Sequence, residues 1–357
     1  MKSKIVILFL LVAFSSACLI QKPAQKKLKL KGISWRAYST ADTGLQKTAF
    51  QCLTIDGSGN RWFGTMYDGL AMLSADGSWI KYNTTNSKLP DNCIRSIAGA
   101  PDGTLWIGSS EGGLVKFDGA DFSIFDTSNS ALLYNHVFKM TVDKKNTVWF
   151  SSSVHRVGGL MSYNGNEWKL YTPANSLLPT NLIKSVYAAP DESIWVATAL
   201  DGILRLKDGI WSEYKDFYAP GVPKFPLDDI CSDFKGNVWV SSSASIRDEG
   251  GTLAKFDGNE WQEYPPSTSG FCSDSVICMT SDRHSNIWAS MIGDYEKNIP
   301  NTLIMFNGEE WFNIPSIDPS FPHGINFSDM KVDENNTIWA TCLWPNYSVF
   351  EIHPEYE

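Results

Sequence analysis

The sequence lacks the features that mark most membrane-spanning, zinc-binding and nucleic-acid-binding proteins. Beyond residue 14, no apolar run approaches the roughly 18 residues that a membrane helix needs. The chain has 357 residues but only five histidines, and its seven cysteines include no C-x-x-C pair of a zinc or redox motif. Its net charge of −9 disfavours nucleic acid, because phosphate binding requires clustered Lys and Arg. We therefore predict no nucleic-acid partner, no metal site and no cofactor.

Recognisable catalytic motifs are missing as well. The sequence contains no H-E-x-x-H, no G-x-S-x-G and no phosphate-binding glycine loop. Its histidines do not pair at the spacing of metal ligands. We predict no catalytic residues and favour a protein that is not an enzyme. The 39 acidic residues leave open a glycosidase-type carboxylate pair that forms only in space.

The amino terminus has the pattern of an export signal. Lys2 and Lys4 precede an apolar stretch at 5–14 that is too short to span a bilayer. The next residues, Ser-Ser-Ala-Cys, resemble a bacterial lipobox, with Ser15 where Leu or Val is usual. We predict a lipoprotein signal peptide at 1–17, lipidation of Cys18, and a Lys-rich tether at 18–32.

The predicted location follows from that signal. A lipid on Cys18 would attach the chain to a membrane of the cell envelope, in the periplasm or at the outer membrane. An ordinary secretory signal followed by an incidental cysteine is the alternative. In both cases the chain is exported.

The rest of the sequence is a repeat. Seven tryptophans recur at spacings of 43 to 51 residues, each after a turn rich in Asp, Gly and Asn; they are Trp62, Trp106, Trp149, Trp195, Trp239, Trp288 and Trp339. A period of this length, with short strands and many turn residues, is typical of a β-propeller blade. We predict an all-β, seven-bladed propeller over residues 33–357, with four antiparallel strands, A to D, in each blade.

Each repeat distributes its residues in the same way. Strand A lies nearest the axis, and strand B carries the tryptophan. The residue two places after the tryptophan is always small, which predicts close packing between neighbouring blades. In five repeats an Asp lies six residues before the tryptophan, and we expect it to accept backbone N–H groups of its turn rather than to bind metal; these are Asp56, Asp143, Asp233, Asp282 and Asp333.

The last repeat lacks an outer strand, and the first strand has no blade of its own. Residues 33–39 contain Trp35 and Tyr38 in the Trp-x-x-Tyr spacing of strand D in the other blades. We predict that this strand completes blade seven. The ring would then close and leave no free sheet edge.

These blades resemble the two-component-regulator propeller repeat over residues 33–357. That family forms the exported sensor regions of bacterial hybrid histidine kinases. The resemblance implies a sensory, ligand-binding or assembly module outside the cytoplasm, and many members sense carbohydrates. No kinase, receiver or transmembrane segment follows the blades in this sequence. The expectation is therefore a propeller without the kinase part.

The variable loops predict the binding face. The B–C loops and the D–A links open on one face, and the B–C loops lengthen in blades three, five, six and seven. Variable loops on a rigid scaffold are where binding residues accumulate. The candidate ligand-binding residues are Tyr67, Glu111, His136, His155, Arg156, Asp201, Arg247 with the adjacent Asp248, Tyr295, Trp344 and Tyr347.

Three functions remain open on this evidence. The favoured one is a monomeric, non-catalytic binding or sensor-accessory propeller that recognises a carbohydrate or a protein partner on the B–C loop face. The second is a lyase or glycosidase-like enzyme acting in the axial pocket, for which His136, His155 and Glu111 qualify by position alone. The third is a scaffold in a cell-surface complex.

Overall fold

Seven four-stranded antiparallel sheets make up the structure. The computed structural model describes residues 28–45, 49–154, 157–199, 201–214, 227–242, 253–264, 275–293, 298, 300–343 and 349–357. Each sheet is one blade, and its strands follow chain order from the axis outwards, except in blade seven. The predicted seven-bladed, four-stranded architecture is confirmed.

The first three blades follow one another along the chain. Blade one contains β2 (Phe50–Ile55), β3 (Arg61–Thr65), β4 (Leu70–Leu73) and β5 (Trp79–Tyr82). Blade two contains β6 (Ile94–Gly99), β7 (Leu105–Ser109), β8 (Leu114–Phe117) and β9 (Phe122–Phe125). Blade three contains β10 (Met140–Val142), β11 (Val148–Val154), β12 (Val157–Tyr163) and β13 (Trp168–Tyr171).

The next three blades repeat this order. Blade four contains β14 (Ile183–Ala188), β15 (Ile194–Thr198), β16 (Ile203–Lys207) and β17 (Ile210–Tyr214). Blade five contains β18 (Leu227–Ser232), β19 (Val238–Ser242), β20 (Leu253–Phe256) and β21 (Trp261–Tyr264). Blade six contains β22 (Val276–Ser281), β23 (Ile287–Met291), β24 (Thr302–Phe306) and β25 (Trp311–Asn313).

Blade seven combines the first strand of the propeller with its last three strands. Its sheet order is β1-β28-β27-β26, with β1 (Leu30–Tyr38), β26 (Phe327–Val332), β27 (Ile338–Cys342) and β28 (Val349–Tyr356). The amino-terminal strand is therefore the outer strand of this blade and pairs antiparallel with β28, from Leu30 opposite Tyr356 to Tyr38 opposite Val349. Two short helices, α1 (Thr40–Thr43) and α2 (Ile314–Ile317), lie beside it in sequence or in space.

The inner strands form a closed ring. They contact one another in the order β2, β6, β10, β14, β18, β22 and β26, and β26 contacts β2 again. The hydrophobic core is divided accordingly into seven clusters, each shared by neighbouring blades. One such cluster joins Trp62 of blade one to Ile94 and Ile107 of blade two.

Two of the small residues that lie two places after a tryptophan are glycines, and close packing between blades leaves no room there for a side chain. A Cβ on Gly64 would lie 2.5 Å from Cys52 Sγ and 2.7 Å from Ile94 Cγ2 in the next blade. A Cβ on Gly108 would lie 2.7 Å from Val137 Cγ1. Contacts this short do not occur between real side chains, so a larger residue would force the blades apart.

The hydrogen bonds of the A–B turns explain the recurrent aspartates. In blade one, Asp56 accepts N–H groups from Ser58 at 2.9 Å and Asn60 at 3.0 Å. Its second oxygen accepts the indole Nε1–H of Trp62 at 2.8 Å. The expected turn role is confirmed, and the bond to the tryptophan is an additional role that the sequence did not reveal.

The same Asp–Trp hydrogen bond recurs in four other blades. The donors and acceptors are Trp149 and Asp143 at 2.9 Å, Trp239 and Asp233 at 3.0 Å, Trp288 and Asp282 at 3.2 Å, and Trp339 and Asp333 at 3.0 Å. The tryptophans are therefore buried packing residues.

Blade three departs from the loop lengths read from the sequence. Val154–Gly158 was expected to be a lengthened B–C loop, but β11 continues to Val154 and β12 begins at Val157, with these two residues paired. The extra residues extend the two strands, because Ser152 and Ser153 pair with Gly159 and Gly158 in regular register.

Candidate functional site

A cavity of about 770 Å³ lies along the axis of the ring. Residues of all seven inner strands line it, and the lining continues into the A–B turns at Pro190 and at Phe234–Gly236. The cavity therefore reaches the face opposite the B–C loops. Its volume falls within the range of roughly 300–1,000 Å³ that small-molecule sites occupy.

One ring of seven equivalent positions is set by strand pairing, and six of its members line the cavity. Each of these residues lies opposite the small residue that follows the tryptophan, as Asp229 lies opposite Ser241 and Asp329 opposite Thr341. In blade three the equivalent residue is Lys139, whose N–H donates to Ser151 Oγ at 3.3 Å. The complete set, called here the axial ring, is Cys52, Ser96, Lys139, Ser185, Asp229, Cys278 and Asp329.

The two aspartates of the axial ring connect neighbouring blades. Asp229 Oδ2 accepts the N–H of Met279 at 3.0 Å, and Asp329 Oδ2 accepts the N–H of Leu53 at 2.9 Å. Their Oδ1 atoms accept the N–H of the following residue in their own strands. Backbone donors thus fix the orientation of both carboxylates.

Asp329 also has a cationic partner. Lys331, two residues further along β26, donates from Nζ to Asp329 Oδ1 at 2.7 Å. Burial acts to lower the pKa of Lys331, but the carboxylates of Asp329 and Asp229 outweigh burial and raise it. Although it is surrounded by protein, 45% of the Lys331 side chain is open to the cavity.

Three buried cysteines of the inner strands have neutral thiols. Burial raises the pKa of Cys52, Cys231 and Cys278, and the nearby aspartates raise it further. Cys52, Cys231 and Cys278 are free thiols in the structure. A neutral buried thiol is a poor nucleophile, so these cysteines act as small packing residues near the axis.

Four of the predicted loop-face residues lie within the described part of the chain. Tyr67 is 52% exposed in the B–C loop of blade one. Glu111 and Asp201 are exposed, and their backbone N–H groups donate to Asp91 and to Thr198. His136 is half-buried and stacks on Phe138 with ring centroids 6.0 Å apart.

These residues do not converge on the axial cavity. None of the four lines it, and no hydrogen bond joins Glu111, His136 and Asp201 to one another. The remaining predicted residues lie outside the described ranges: His155, Arg156, Arg247, Asp248, Tyr295, Trp344 and Tyr347, together with the lipidation candidate Cys18.

Arg95 lies close to both the axial cavity and the loop-face residue His136. It lines the cavity, and its guanidinium donates to Gln51 Oε1 at 3.0 Å and to Ser110 Oγ at 3.4 Å. Burial lowers the pKa of His136, and the charge of Arg95 lowers it further. His136 is therefore neutral at neutral pH, and its buried Nδ1 has no hydrogen-bond partner among the described residues.

Sequence reasoning missed the charged residues of the axis. Lys139, Asp229, Asp329 and Lys331 lie on or immediately before strand A, and the remaining residues at the equivalent positions of the other blades are uncharged. Aligning the repeats on their tryptophans would have shown these charges at positions that face the axis. No group of three or more His, Cys, Asp or Glu within the described ranges is arranged to hold a metal ion.

Comparisons with known proteins agree with the fold. The family model described as "Two component regulator propeller" matches residues 88–111. No curated protein matches the chain. In the part of the chain that the structure describes, no helix is long and apolar enough to cross a membrane.

Several solved structures are similar to the whole propeller. One is the extracellular domain of BT3049 from B. thetaiotaomicron, named as a hybrid two component system, with 16% identity and a TM-score of 0.68; the match covers 90% of this chain and 42% of that one. Another is virginiamycin B lyase from Staphylococcus aureus, with 12% identity, a TM-score of 0.67, and coverage of 90% and 99%. A third is YCF48 bound to D1 peptide, with 10% identity, a TM-score of 0.62, and coverage of 91% and 99%.

At these identities, the structural likeness shows the fold and does not transfer an activity. The chain spans less than half the length of the BT3049 domain that it matches. The direct sequence match covers the D–A link, β6 and β7 of blade two. The chain thus carries the two-component regulator propeller repeat, on a seven-bladed propeller like those of the extracellular domains of hybrid two component systems.

Proposed function

We propose that this chain is an exported, non-catalytic binding propeller of the cell envelope that docks a protein partner on its B–C loop face. In this proposal residues 1–17 are a lipoprotein signal peptide, Cys18 carries the lipid anchor, residues 18–32 are the tether, and the propeller at 33–357 is monomeric. The extracellular origin of the BT3049 and BT4673 domains supports export.

The observation that carries the proposal is the distribution of exposed apolar side chains. Within the described ranges, four of the seven exposed large apolar residues lie on the face of the B–C loops and D–A links: Tyr67, Leu133 and Leu177 in loops or links, and Val157 at the first position of β12. They belong to blade one, blade three and the links on either side of blade three. Exposed apolar residues gathered on one face are typical of an interaction surface.

Their chemistry favours protein over carbohydrate. Sugar rings stack on aromatic faces, and Tyr67 is the one aromatic residue of the four. Leu133, Val157 and Leu177 are aliphatic, are 46 to 54% exposed, and gain free energy by burial against another apolar surface. YCF48, a propeller of similar fold, is bound to a peptide in its structure, which is consistent with this type of partner.

The carboxylates of the axis favour binding over catalysis. Asp229 and Asp329 accept backbone N–H groups from neighbouring blades, so their orientation serves the ring. No histidine or glutamate lines the described cavity. A lyase-type His–Glu pair is therefore not formed among the described lining residues. A glycosidase-type pair would have to use the two aspartates, whose oxygens already accept these backbone hydrogen bonds.

Site-specific photo-crosslinking in the native envelope tests the proposal. A photoreactive amino acid replaces Leu177 on the loop face or, as a matched control, Ile210, which is 70% exposed at the start of β17. We expect a discrete crosslinked protein from position 177 that is absent from position 210 and is lost when Leu133 is also changed to Asp.

Two results would overturn the proposal. One is equal crosslinking from both positions, which would indicate random collision. The other is binding of a defined glycan by the purified propeller that Leu177→Asp abolishes, with no protein crosslink, which would assign the face to a carbohydrate.

A further inference from the structure

The axial ring contains two opposite charges that form no hydrogen bond or ion pair with a described side chain. The Lys139 ammonium forms no hydrogen bond or ion pair within the described chain. Asp229 accepts backbone N–H groups only. The two residues occupy equivalent positions in blades three and five, and they are not ion-paired with each other.

The other charged groups of the cavity are already engaged or lie at its ends. Asp329 is paired with Lys331 at 2.7 Å. Arg95 is bound to Gln51 and Ser110 near the B–C end. Asp233 accepts from Trp239 and Asn237 in its turn, and Lys235 is exposed at the mouth. One ammonium and one carboxylate without a side-chain hydrogen bond or ion pair among the described residues therefore remain in the lining of a cavity of about 770 Å³.

We propose that the axial cavity is a binding site for a small amino-carboxylate zwitterion, whose carboxylate contacts Lys139 and whose ammonium contacts Asp229. This site is distinct from the protein-docking face and goes beyond the proposed function. A ligand that bridges the two groups forms two charge-assisted hydrogen bonds and leaves no net charge at the axis.

The surroundings of Asp229 support an incoming cation. The pKa of Asp229 is raised above its ordinary value, chiefly by burial and further by the charge of Asp329. The charges of Lys139 and Lys331 act to lower this pKa, but their effect is smaller. A ligand ammonium would stabilise the charged carboxylate. Lys331 is the one charged member of the next ring of lining residues, two places further along each strand A. Four of the other six members, Thr54, Thr141, Tyr187 and Thr280, carry hydroxyl groups that can bind the polar body of a ligand.

Calorimetric titration of the mature chain with a length series of zwitterions tests the site. The probes are glycine, γ-aminobutyrate and ε-aminohexanoate, and hexanoate and hexylamine serve as probes with one charge. We expect one member of the series to bind about tenfold more tightly than either singly charged probe, because it alone makes both contacts. The best length measures the separation of the two protein groups.

Substitutions assign the contacts. Lys139→Gln should weaken the best zwitterion about tenfold and leave the weak binding of hexylamine unchanged. Asp229→Asn should weaken it similarly and leave hexanoate unchanged. Lys235→Gln removes the same charge from the exposed mouth and should change affinity by less than about twofold.

The Lys139 variant keeps the test decisive even if Asp229→Asn does not fold, since the Lys139 ammonium makes no contact that the fold requires. Absence of binding by all three zwitterions at millimolar concentration would overturn the proposal. So would equal losses in Lys139→Gln and Lys235→Gln, because the effect would then reflect net charge and not a contact.

Discussion

Blade seven and blade four differ in how they hold the tryptophan of their second strand. In blade seven, Trp339 donates to Asp333 at 3.0 Å, and the guanidinium of Arg61 from blade one lies 4.6 Å from its ring centroid. Tyr38 of β1 stacks on the same ring with centroids 6.2 Å apart. One side chain thus joins the inner part of blade seven, its outer strand and the next blade.

In blade four the corresponding tryptophan has packing but no acceptor. Ala189 takes the position of the aspartate, and the buried Nε1 of Trp195 has no hydrogen-bond partner among the described residues. Tyr214 stacks on the indole at 5.7 Å, and Arg205 lies 5.5 Å from it. Asp191, two residues after Ala189, binds Arg205 and Lys207 nearer the surface.

The difference separates the contacts that both blades share from those that strengthen the junction of β1 with the rest of blade seven and with blade one, called here the seam. Aromatic stacking is present in both blades and suffices in blade four, whose four strands are consecutive in the chain. In blade seven no short turn tethers β1 to its neighbour β28. Non-covalent contacts must therefore supply the order that a short connection provides elsewhere.

The largest expected effect is that of removing the outer strand of blade seven. Deletion of residues 28–38 exposes the edge of β28 and removes Trp35, which packs against Phe321 and Phe350. We expect loss of cooperative unfolding or aggregation, since an unpaired edge templates association. Size-exclusion chromatography and thermal melts compare this variant with a chain that begins at residue 28. A soluble, cooperatively unfolding monomer would contradict the role assigned to the seam.

A single substitution in the seam should have the next largest effect. Asp333→Ala removes the acceptor of Trp339, Arg61 and two backbone N–H groups in a site where its side chain is 5% exposed. We expect a loss of about 3 kcal/mol in the free energy of unfolding, measured by urea titration. The matched variant in blade four, Asp191→Ala, removes a 40% exposed carboxylate and should cost less than about 1 kcal/mol. Equal losses would remove the distinction between the two blades.

Acid should weaken the seam in a defined direction. Burial acts to raise the pKa of Asp333, but hydrogen bonds from Trp339, Thr337 and Arg61 outweigh burial and lower it. Its stabilising contribution is therefore present above the ordinary aspartate value of about 4 and is lost as pH falls through the lower value of the folded state. We expect the stability difference between the native chain and Asp333→Asn to shrink below about pH 4. A difference that stays constant with pH would contradict this assignment.

The smallest expected effect is a gain in blade four. In the turn that begins at Ala189, the N–H of Ala189 donates to the Ser193 carbonyl and the N–H of Glu192 donates to the Ala189 carbonyl. The turn that begins at Asp56 has the same two hydrogen bonds, from Asp56 to Asn60 and from Gly59 to Asp56. Ala189→Asp would thus offer Trp195 an acceptor in an unchanged turn, and we expect a gain of about 1 kcal/mol in chemical unfolding. Ala100→Asp is the control, because Trp106 has no unpaired buried N–H. A loss in the blade-four variant would show that the carboxylate cannot be buried beside this indole.

The repeat made much of the architecture predictable. The spacing of the tryptophans gave the number of blades, and the Trp35–Tyr38 spacing indicated that the first strand is the outer strand of blade seven. The turn aspartates were also predicted, because their bonds to nearby N–H groups are local. Their bonds to the tryptophans were not, since a six-residue separation is compatible with either side of a strand.

The candidate sites were less predictable. The loop face was expected to hold the binding residues, and Tyr67 and Glu111 are exposed there. His136 is instead half-buried beside Arg95, a residue that the sequence did not single out. The extension of β11 and β12 in blade three was missed because a lengthened hairpin and a lengthened loop have the same number of residues.

By itself, the sequence determined the repeat, the strand order within each blade and the small residues between blades, because these follow from local alternation and side-chain volume. Only the tertiary structure decided that the equivalent positions of Lys139 and Asp229 surround one cavity, and that Lys331 forms an ion pair with Asp329. The physical reason is that residues far apart in the chain become neighbours only when the ring closes. The interaction energy of a charged side chain depends on which charged neighbours lie beside it in low-dielectric surroundings.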